Sequence, residues 1–328
     1  MFDPLRLRPG ADVTSAPVAF GKLRALGDFV RTSGYAETCR HFEAFVERSL
    51  AWANDRHGKA WAPAFAQGGI VAFVYQPPQA TGDATLLVGV MAPSHDAVGR
   101  RYPLVIAVRA PLEPFARAPQ VLPLVFADFF DAASQRLASA LRSTSAAELE
   151  ACVRLLGPVP LGGAGEALAS YHAWAQATAL HEVWAALFPA ERVTTLPRVA
   201  LQMLLASAEP LRGRERPLIN LGLRLPLGDA AATAVAFWID LVRQVARWQR
   251  TVPSVFWCPD DSIVLQLGDE LPSSLLGDCW VEGAESEQLF SLEQAHSARS
   301  LATLSPSLES LLATDTTSAW ALLAAFGP

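Results

Sequence analysis

The clearest periodicity in the chain lies between Tyr35 and Arg56, where Phe42, Phe45, Val46, Leu50 and Ala53 recur at helical spacing and Arg40, Glu43, Glu47 and Arg48 fill the other face. This predicts a helix with one buried stripe. Three runs rich in Val, Ile, Leu, Phe or Tyr follow, Gly68 to Gln76, Ala84 to Met91 and Arg101 to Ala110, bounded by Pro77-Pro78, Gly82-Asp83, Pro93 and Pro111. They predict three consecutive strands, a meander. The runs are continuously apolar instead of alternating, which calls for helices on both faces of the sheet. Pro123 to Arg142 then predicts a helix with Phe126, Phe129, Phe130, Ala133 and Leu137 on one side.

Ser145 with Glu148 forms a capping box for a further helix through Leu156. The stretch Gly157 to Gly165, with Pro158 and Pro160, is too rich in glycine and proline for regular structure and reads as a linker. Beyond it, helices are predicted over Glu166–Phe188 and Leu196–Ala208, a strand over Pro217–Leu225, and an amphipathic helix over Ala230–Arg250. Val255–Trp257 and Ile263–Leu267 are short strand candidates, and the Ser-rich tail from Glu285 reads as helical in pieces. The fold class is therefore α/β in the α+β sense: an antiparallel or mixed sheet covered by helices on both faces, followed by a second helix-rich α/β segment. The expected division is a domain over 15–145, a helix and linker over 146–166, a second segment over 167–284 and a helical tail over 285–328. Tyr102-Pro103-Leu104 has an echo in Arg216-Pro217-Leu218, which leaves a degenerate repeat open.

Composition narrows the partners. The 328 residues carry a formal charge of −6 and 51% hydrophobic content, so no overall basic field favours nucleic acid and a large core is available. The apolar runs Ala230–Trp238 and Ala319–Phe326 fall short of the roughly 20 residues that span a bilayer. No apolar segment of secretory type occurs near Met1 to Val13, so a cytoplasmic protein without membrane insertion is expected. Cys39, Cys152, Cys258 and Cys279 are scattered, without zinc-ligand spacing, and read as free thiols.

Chemistry is hard to place. There is no G-x-S-x-G, G-x-x-x-x-G-K-[ST], G-x-G-x-x-G or H-E-x-x-H motif. Ser94-His95-Asp96 holds the residue types of a hydrolase triad, but neighbours in one turn rarely converge as triad members must. His172 and His181 face different ways on a predicted helix, and Asp260-Asp261 lack the alternating spacing of calcium ligands. No catalytic residue, metal or cofactor is expected, and the chain reads as a non-enzyme.

Two segments fit another purpose. In the first, Gly21 and Gly27 bracket Lys22 and Arg24, and Asp28 stands ready to cap what begins at Phe29 and Val30, so a turn presents a cation. In the second, Pro93, Gly99 and Pro103 shape a connection between two strands that holds Ser94, Asp96, Arg100 and Arg101 at the surface. The alternative for the second is a solvated turn in which an Asp bonded to an Arg fixes the loop.

At these residues the chain resembles the TagF family of type VI secretion-associated proteins. The G-K-x-x-x-x-G-D-F-[VI] element is matched by Gly21, Lys22, Gly27, Asp28, Phe29 and Val30. The P-S-x-D-x-V-G-R-x-[YF]-P-L element is matched by Pro93, Ser94, Asp96, Val98, Gly99, Arg100, Tyr102, Pro103 and Leu104. The resemblance covers Pro17 to Leu141, and past Gly157 it rests on Pro253-Ser254-Val255-Phe256-Trp257. It implies a longin- or profilin-like domain and a non-catalytic, post-translational repressor of bacterial type VI secretion. The implied partner is the forkhead-associated scaffold protein; the charge held on the two shaped loops makes Lys22, Arg24, Asp28, Ser94, Asp96, Arg100 and Arg101 the expected contacts. Some members are fused to a metal-dependent phosphatase, but no Asp-Gly pair, on which that class builds its metal site, occurs here. An effector adaptor, or a hydrolase or phosphatase with its site between the two halves, remains the alternative.

Overall fold

A single sheet organises the protein, which a computed structural model describes over residues 12–189, 196–228, 232–258, 262–284, 286–293 and 301–327. The first part runs β1 (Val18–Gly21), β2 (Val30–Arg31), α1 (Glu37–His57), α2 (Trp61–Gln67), β3 (Val71–Tyr75), β4 (Thr85–Ala92), β5 (Leu104–Pro111), α3 (Leu122–Val125), α4 (Ala127–Ala140) and α5 (Ala146–Arg154). The second runs α6 (Ala164–Ala177), α7 (Leu180–Leu187), α8 (Pro197–Ala208), β6 (Gly222–Pro226), α9 (Ala232–Ala246), β7 (Val255–Trp257), β8 (Ser262–Gln266), α10 (Leu275–Trp280), β9 (Leu289–Ser291), α11 (Pro306–Leu312) and α12 (Ala319–Ala324). The predicted meander is present as β3, β4 and β5, antiparallel throughout. Among the described residues the strands follow the order β2-β1-β5-β4-β3-β7-β8-β6-β9, antiparallel except for the parallel pair β6–β9, which makes the sheet mixed and the fold α+β.

The continuous apolar runs resolve into two faces because successive side chains on a strand point to opposite sides. Leu86, Val88 and Val90 of β4 join Ile106 and Val108 of β5 beneath Phe129, Ala133 and Leu137 of α4. Leu87 and Met91 join Val105 and Ala107 on the other face, beneath Phe42, Phe45 and Val46 of α1. Phe42 stacks on Phe73 at 4.3 Å between ring centres. The same α1 core takes in Phe256, Val264, Leu275 and Leu276 from the second part of the chain. The Pro253–Trp257 element supplies the joint: β7 pairs with β3 through Ala72 and Trp257, Phe73 and Phe256, and Val74 and Val255.

Several local expectations need correction. The helix expected over Glu166–Phe188 breaks at Thr178–Ala179, because the Thr178 carbonyl accepts from the Ala319 amide of α12 and the Leu180 amide donates to the Thr317 carbonyl ahead of it. α9 is not amphipathic: Ala234 through Val242 are all buried, since α3, α6, α8 and α12 pack around it. The tail after Glu285 holds a strand, β9, besides its helices. The Gly157–Gly165 stretch is pinned by backbone bonds Leu161 N–H to Asp12 (2.8 Å) and Thr14 N–H to Val159 (3.0 Å), and α6 starts inside it at Ala164. Leu104 is buried at the start of β5, whereas Leu218 is exposed and lies ahead of β6, so the two Pro-Leu pairs differ in structure. The Ser145 hydroxyl accepts from the Glu148 amide as a capping box requires, but the Glu148 carboxylate accepts from Thr144 instead of Ser145.

Candidate functional site

Strand pairing brings the two charged segments together. β1 and β4 both lie against β5, so the end of β1, the end of β4 and the start of β5 meet at one end of the strands. Gly21 makes the meeting close: its φ is +132°, and a Cβ there would stand 2.1 Å from the Pro103 carbonyl oxygen. The two loops then exchange hydrogen bonds. The Ser94 hydroxyl donates to the Lys22 carbonyl at 2.7 Å, the Ala97 amide to the Leu26 carbonyl at 2.8 Å, and the Arg100 guanidinium to the Gly27 carbonyl.

Asp96 holds the centre of this corner. Its fully buried carboxylate pairs with Lys22 Nζ at 2.9 Å and Arg100 Nε at 2.6 Å, and accepts the amides of Val98 and Arg100 at 3.1 and 2.8 Å. Desolvation pushes this carboxyl up, but the hydrogen bonds from Lys22, from the Arg100 amide and from its guanidinium outweigh it and hold the group well below the usual carboxylate range. The sign follows: its stabilising contribution is present at neutral pH and is lost as pH falls below the ordinary value towards the depressed one.

This arrangement revises the expected surface. Lys22 is not presented to solvent; its side chain is 14% exposed and turned onto Asp96. Ser94 and Asp96 are buried, not held at the surface. Asp28 is exposed and precedes the two-residue strand β2, so it caps no helix. Phe29 packs edge-on against Tyr102 at 4.9 Å, with the Arg31 guanidinium 4.6 Å from its ring. Gly27 and Gly99 lie exposed at the loop tips, Pro93 is half-buried, and Trp257 stands away from the corner, against Phe130 on α4. What the corner leaves outward is Arg24, His95, Val98, Arg100 and Arg101, with Val98 74% exposed.

The hydrolase-like triplet does not assemble. His95 Nδ1 lies 2.9 Å from the Asp96 backbone oxygen, and the Ser94 hydroxyl is committed to Lys22. His172 packs against Trp320 and His181 against the Asp315 carbonyl, so these two do not meet. Asp260 and Asp261 lie outside the described residues. Among the described residues no three His, Cys, Asp or Glu side chains are grouped to hold a metal, and the four cysteines are free.

Sequence reasoning missed α2, which forms a second wall beside the corner. Its signal is the Trp61 and Phe65 pair at i and i+4, with Pro63 tolerated in the first turn. Between α2 and the Pro93–Tyr102 loop runs a groove of about 440 Å³, lined by Arg24, Ala62, Phe65, Pro93, His95 and Arg101 among others.

A buried carboxyl elsewhere was equally invisible. Asp278 on α10 is 3% exposed, and among the described residues neither carboxylate oxygen has a hydrogen-bond partner. The nearby Ser274 and Ser286 hydroxyls are 2.8 Å apart and bond to each other. Desolvation raises this carboxyl, outweighing the opposing influence of those hydroxyls and of the Arg224 guanidinium. A raised value means that the fold favours the protonated form, so stability is lost as pH rises from the ordinary 3.8 through the raised value. Asp278→Asn should therefore raise the melting temperature at pH 7 by about 2 °C and give no gain at pH 4. Thermal melts at both pH values check this, and an equal effect at the two would refute it.

Fold and corner define an α+β protein in which two loops, drawn together at one end of the strands, are clamped by a buried carboxylate. Residues 18–156 match the TagF N-terminal domain, described as type VI secretion system-associated, so this part of the chain is similar to that domain. Among solved structures, PA0076 from Pseudomonas aeruginosa PAO1 is similar at 19% identity, over 84% of this chain and 98% of that one, with a TM-score of 0.46. That likeness is too low to bear on fold or function. No curated protein matches the chain closely enough to count as a relative. Among the described residues, no helix is long and apolar enough to cross a membrane.

Proposed function

We propose that this protein is a non-catalytic repressor of type VI secretion that acts after translation, in the cytoplasm, by binding the forkhead-associated scaffold protein of the apparatus. The observation that carries the reading is the corner itself. Both family motifs are used to build one rigid corner, and the residues they leave outward are cationic and apolar. A preorganised loop pair of this kind binds without first ordering itself, which lowers the cost of association. The partner-contacting residues are then Arg24, Arg100 and Arg101 with Val98, while Lys22, Ser94 and Asp96 position them.

Deleting the gene should increase secretion through the apparatus; a decrease would favour an effector adaptor, and no change would end the repressor reading. Purified scaffold should be captured by the wild-type protein. Val98→Asp, a surface change within about ±0.5 kcal/mol in stability, should weaken capture about tenfold or more. Equal capture by the variant would remove the corner from the interface.

A further inference from the structure

We propose that the groove between α2 and the Pro93–Tyr102 loop binds an acidic, extended segment of the partner protein. In it Arg24 and Arg101 take carboxylates, and Ala62, Ala66 and Pro93 receive a neighbouring apolar side chain. This rests on the docking reading above and names the chemistry of what docks.

Charge complementarity carries the argument. Several arginines of this acidic chain are already neutralised by a carboxylate: Arg31 pairs with Glu43, Arg40 with Glu37, Arg154 with Glu150 and Arg243 with Asp240. Arg24 and Arg101 are exposed and have no acidic partner within 4.0 Å among the described residues, yet they line the same groove. Among the described residues no acidic side chain lines it, and His95 adds a further nitrogen donor or acceptor. Lys22 and Arg100, the neighbouring cations, already share the Asp96 carboxylate. The groove that runs along the joint between the two parts is of the same size, but Asp83, Glu113 and Glu215 line it and its Arg216 is paired with Asp269, so it offers no free positive field.

Shape agrees with charge. At about 440 Å³ the groove suits a few side chains, not a folded domain. Its cationic rim can take carboxylates bidentately, as a guanidinium does. The loop that forms one wall is rigid, because the His95–Arg101 bridge and the bonds on Asp96 close it at both levels.

The test pans a displayed random library of peptides of about 12 residues on the full-length wild-type protein. Enriched sequences should carry at least two Asp or Glu beside a large apolar residue. Their binding should fall about tenfold or more in Arg24→Glu/Arg101→Glu, and should weaken as salt shortens the screening length. Because neither arginine is ion-paired, the variant should melt with the wild type; Arg24→Ala/Arg101→Ala, tested in parallel, should show a smaller loss of the same kind. No enrichment, neutral or basic sequences, or acidic sequences indifferent to both variants would overturn the proposal. Scaffold captured equally by wild type and the double Glu variant would also exclude the groove while leaving the docking reading intact. If the scaffold does not bind at all, that reading fails and the peptide result still decides the groove.

Discussion

Arg216→Ala should destabilise the protein by about 3–5 kcal/mol, the cost of stranding one member of a buried ion pair. The Arg216 guanidinium lies 2.9 Å from Asp269 Oδ1, and the two side chains are 6% and 3% exposed. Burial pushes the guanidinium's pKa down and Asp269 pulls it back up, but an arginine stays cationic in either case. The pair also fastens the two parts of the chain. Asp269, after β8, accepts the Gln79 amide on both oxygens at 3.0 and 3.1 Å, and Arg216 donates to the Pro77 carbonyl at 2.8 Å. Removing the arginine leaves Asp269 dry and charged and the Pro77 carbonyl without its guanidinium donor. An Arg216→Met/Asp269→Leu double variant should recover part of the loss, because an apolar pair strands no charge. Denaturant unfolding of the three proteins measures this; a loss below about 1 kcal/mol for Arg216→Ala would show the pair to be solvated.

Gly21→Ala should be nearly as damaging, and for a different reason. The backbone there has φ +132°, which costs an L-residue about 1–3 kcal/mol. The new methyl would also meet the Pro103 carbonyl oxygen at 2.1 Å and the Leu104 Cα at 3.0 Å, both of them backbone that cannot swing away. Forcing that contact open adds about 1–3 kcal/mol and parts β1 from β5 where Lys22 must reach Asp96. Gly27, the second glycine of the same motif, is the control. Its added Cβ would meet nothing within 4 Å, so Gly27→Ala should change stability by no more than about 0.5 kcal/mol. Paired melting curves decide the matter, and equal effects at the two glycines would defeat the account. The melt of Gly21→Ala should be accompanied by loss of scaffold capture, since the corner depends on that close approach.

The meander and the helices that flank it were legible because each is long enough for its period to show. Seven consecutive non-polar positions over Leu86–Ala92 read as a strand covered on both sides, and the two cores bear this out. β1 and β2 were not legible, at four residues and two, because no periodicity can be read from so short a run. β9 escaped for the same reason. The break between α6 and α7 left no mark either, since both sides of Thr178–Ala179 are good helix formers and the interruption comes from the backbone of Thr317–Ala319.

The candidate site was legible as a pair of segments but not as an arrangement. Residue types and spacing identified Lys22, Arg24, Asp96, Arg100 and Arg101 and placed them on turns, but could not say which side chains face inward. Lys22 reads as an exposed cation until Asp96, far along the chain, is seen 2.9 Å away.

By itself the sequence determined the fold class, the order of the main elements and the likeness of residues 18–156 to the TagF N-terminal domain, because local period, turn residues and motif spacing are properties of short stretches of chain. Only the tertiary structure decided that β3 and β7 join both parts into one sheet, that Asp96 is a buried clamp, and that Arg24 and Arg101 share a groove with α2. These depend on contacts between residues distant in sequence. Whether a charge is neutralised, desolvated or free is set by such neighbours and by nothing local.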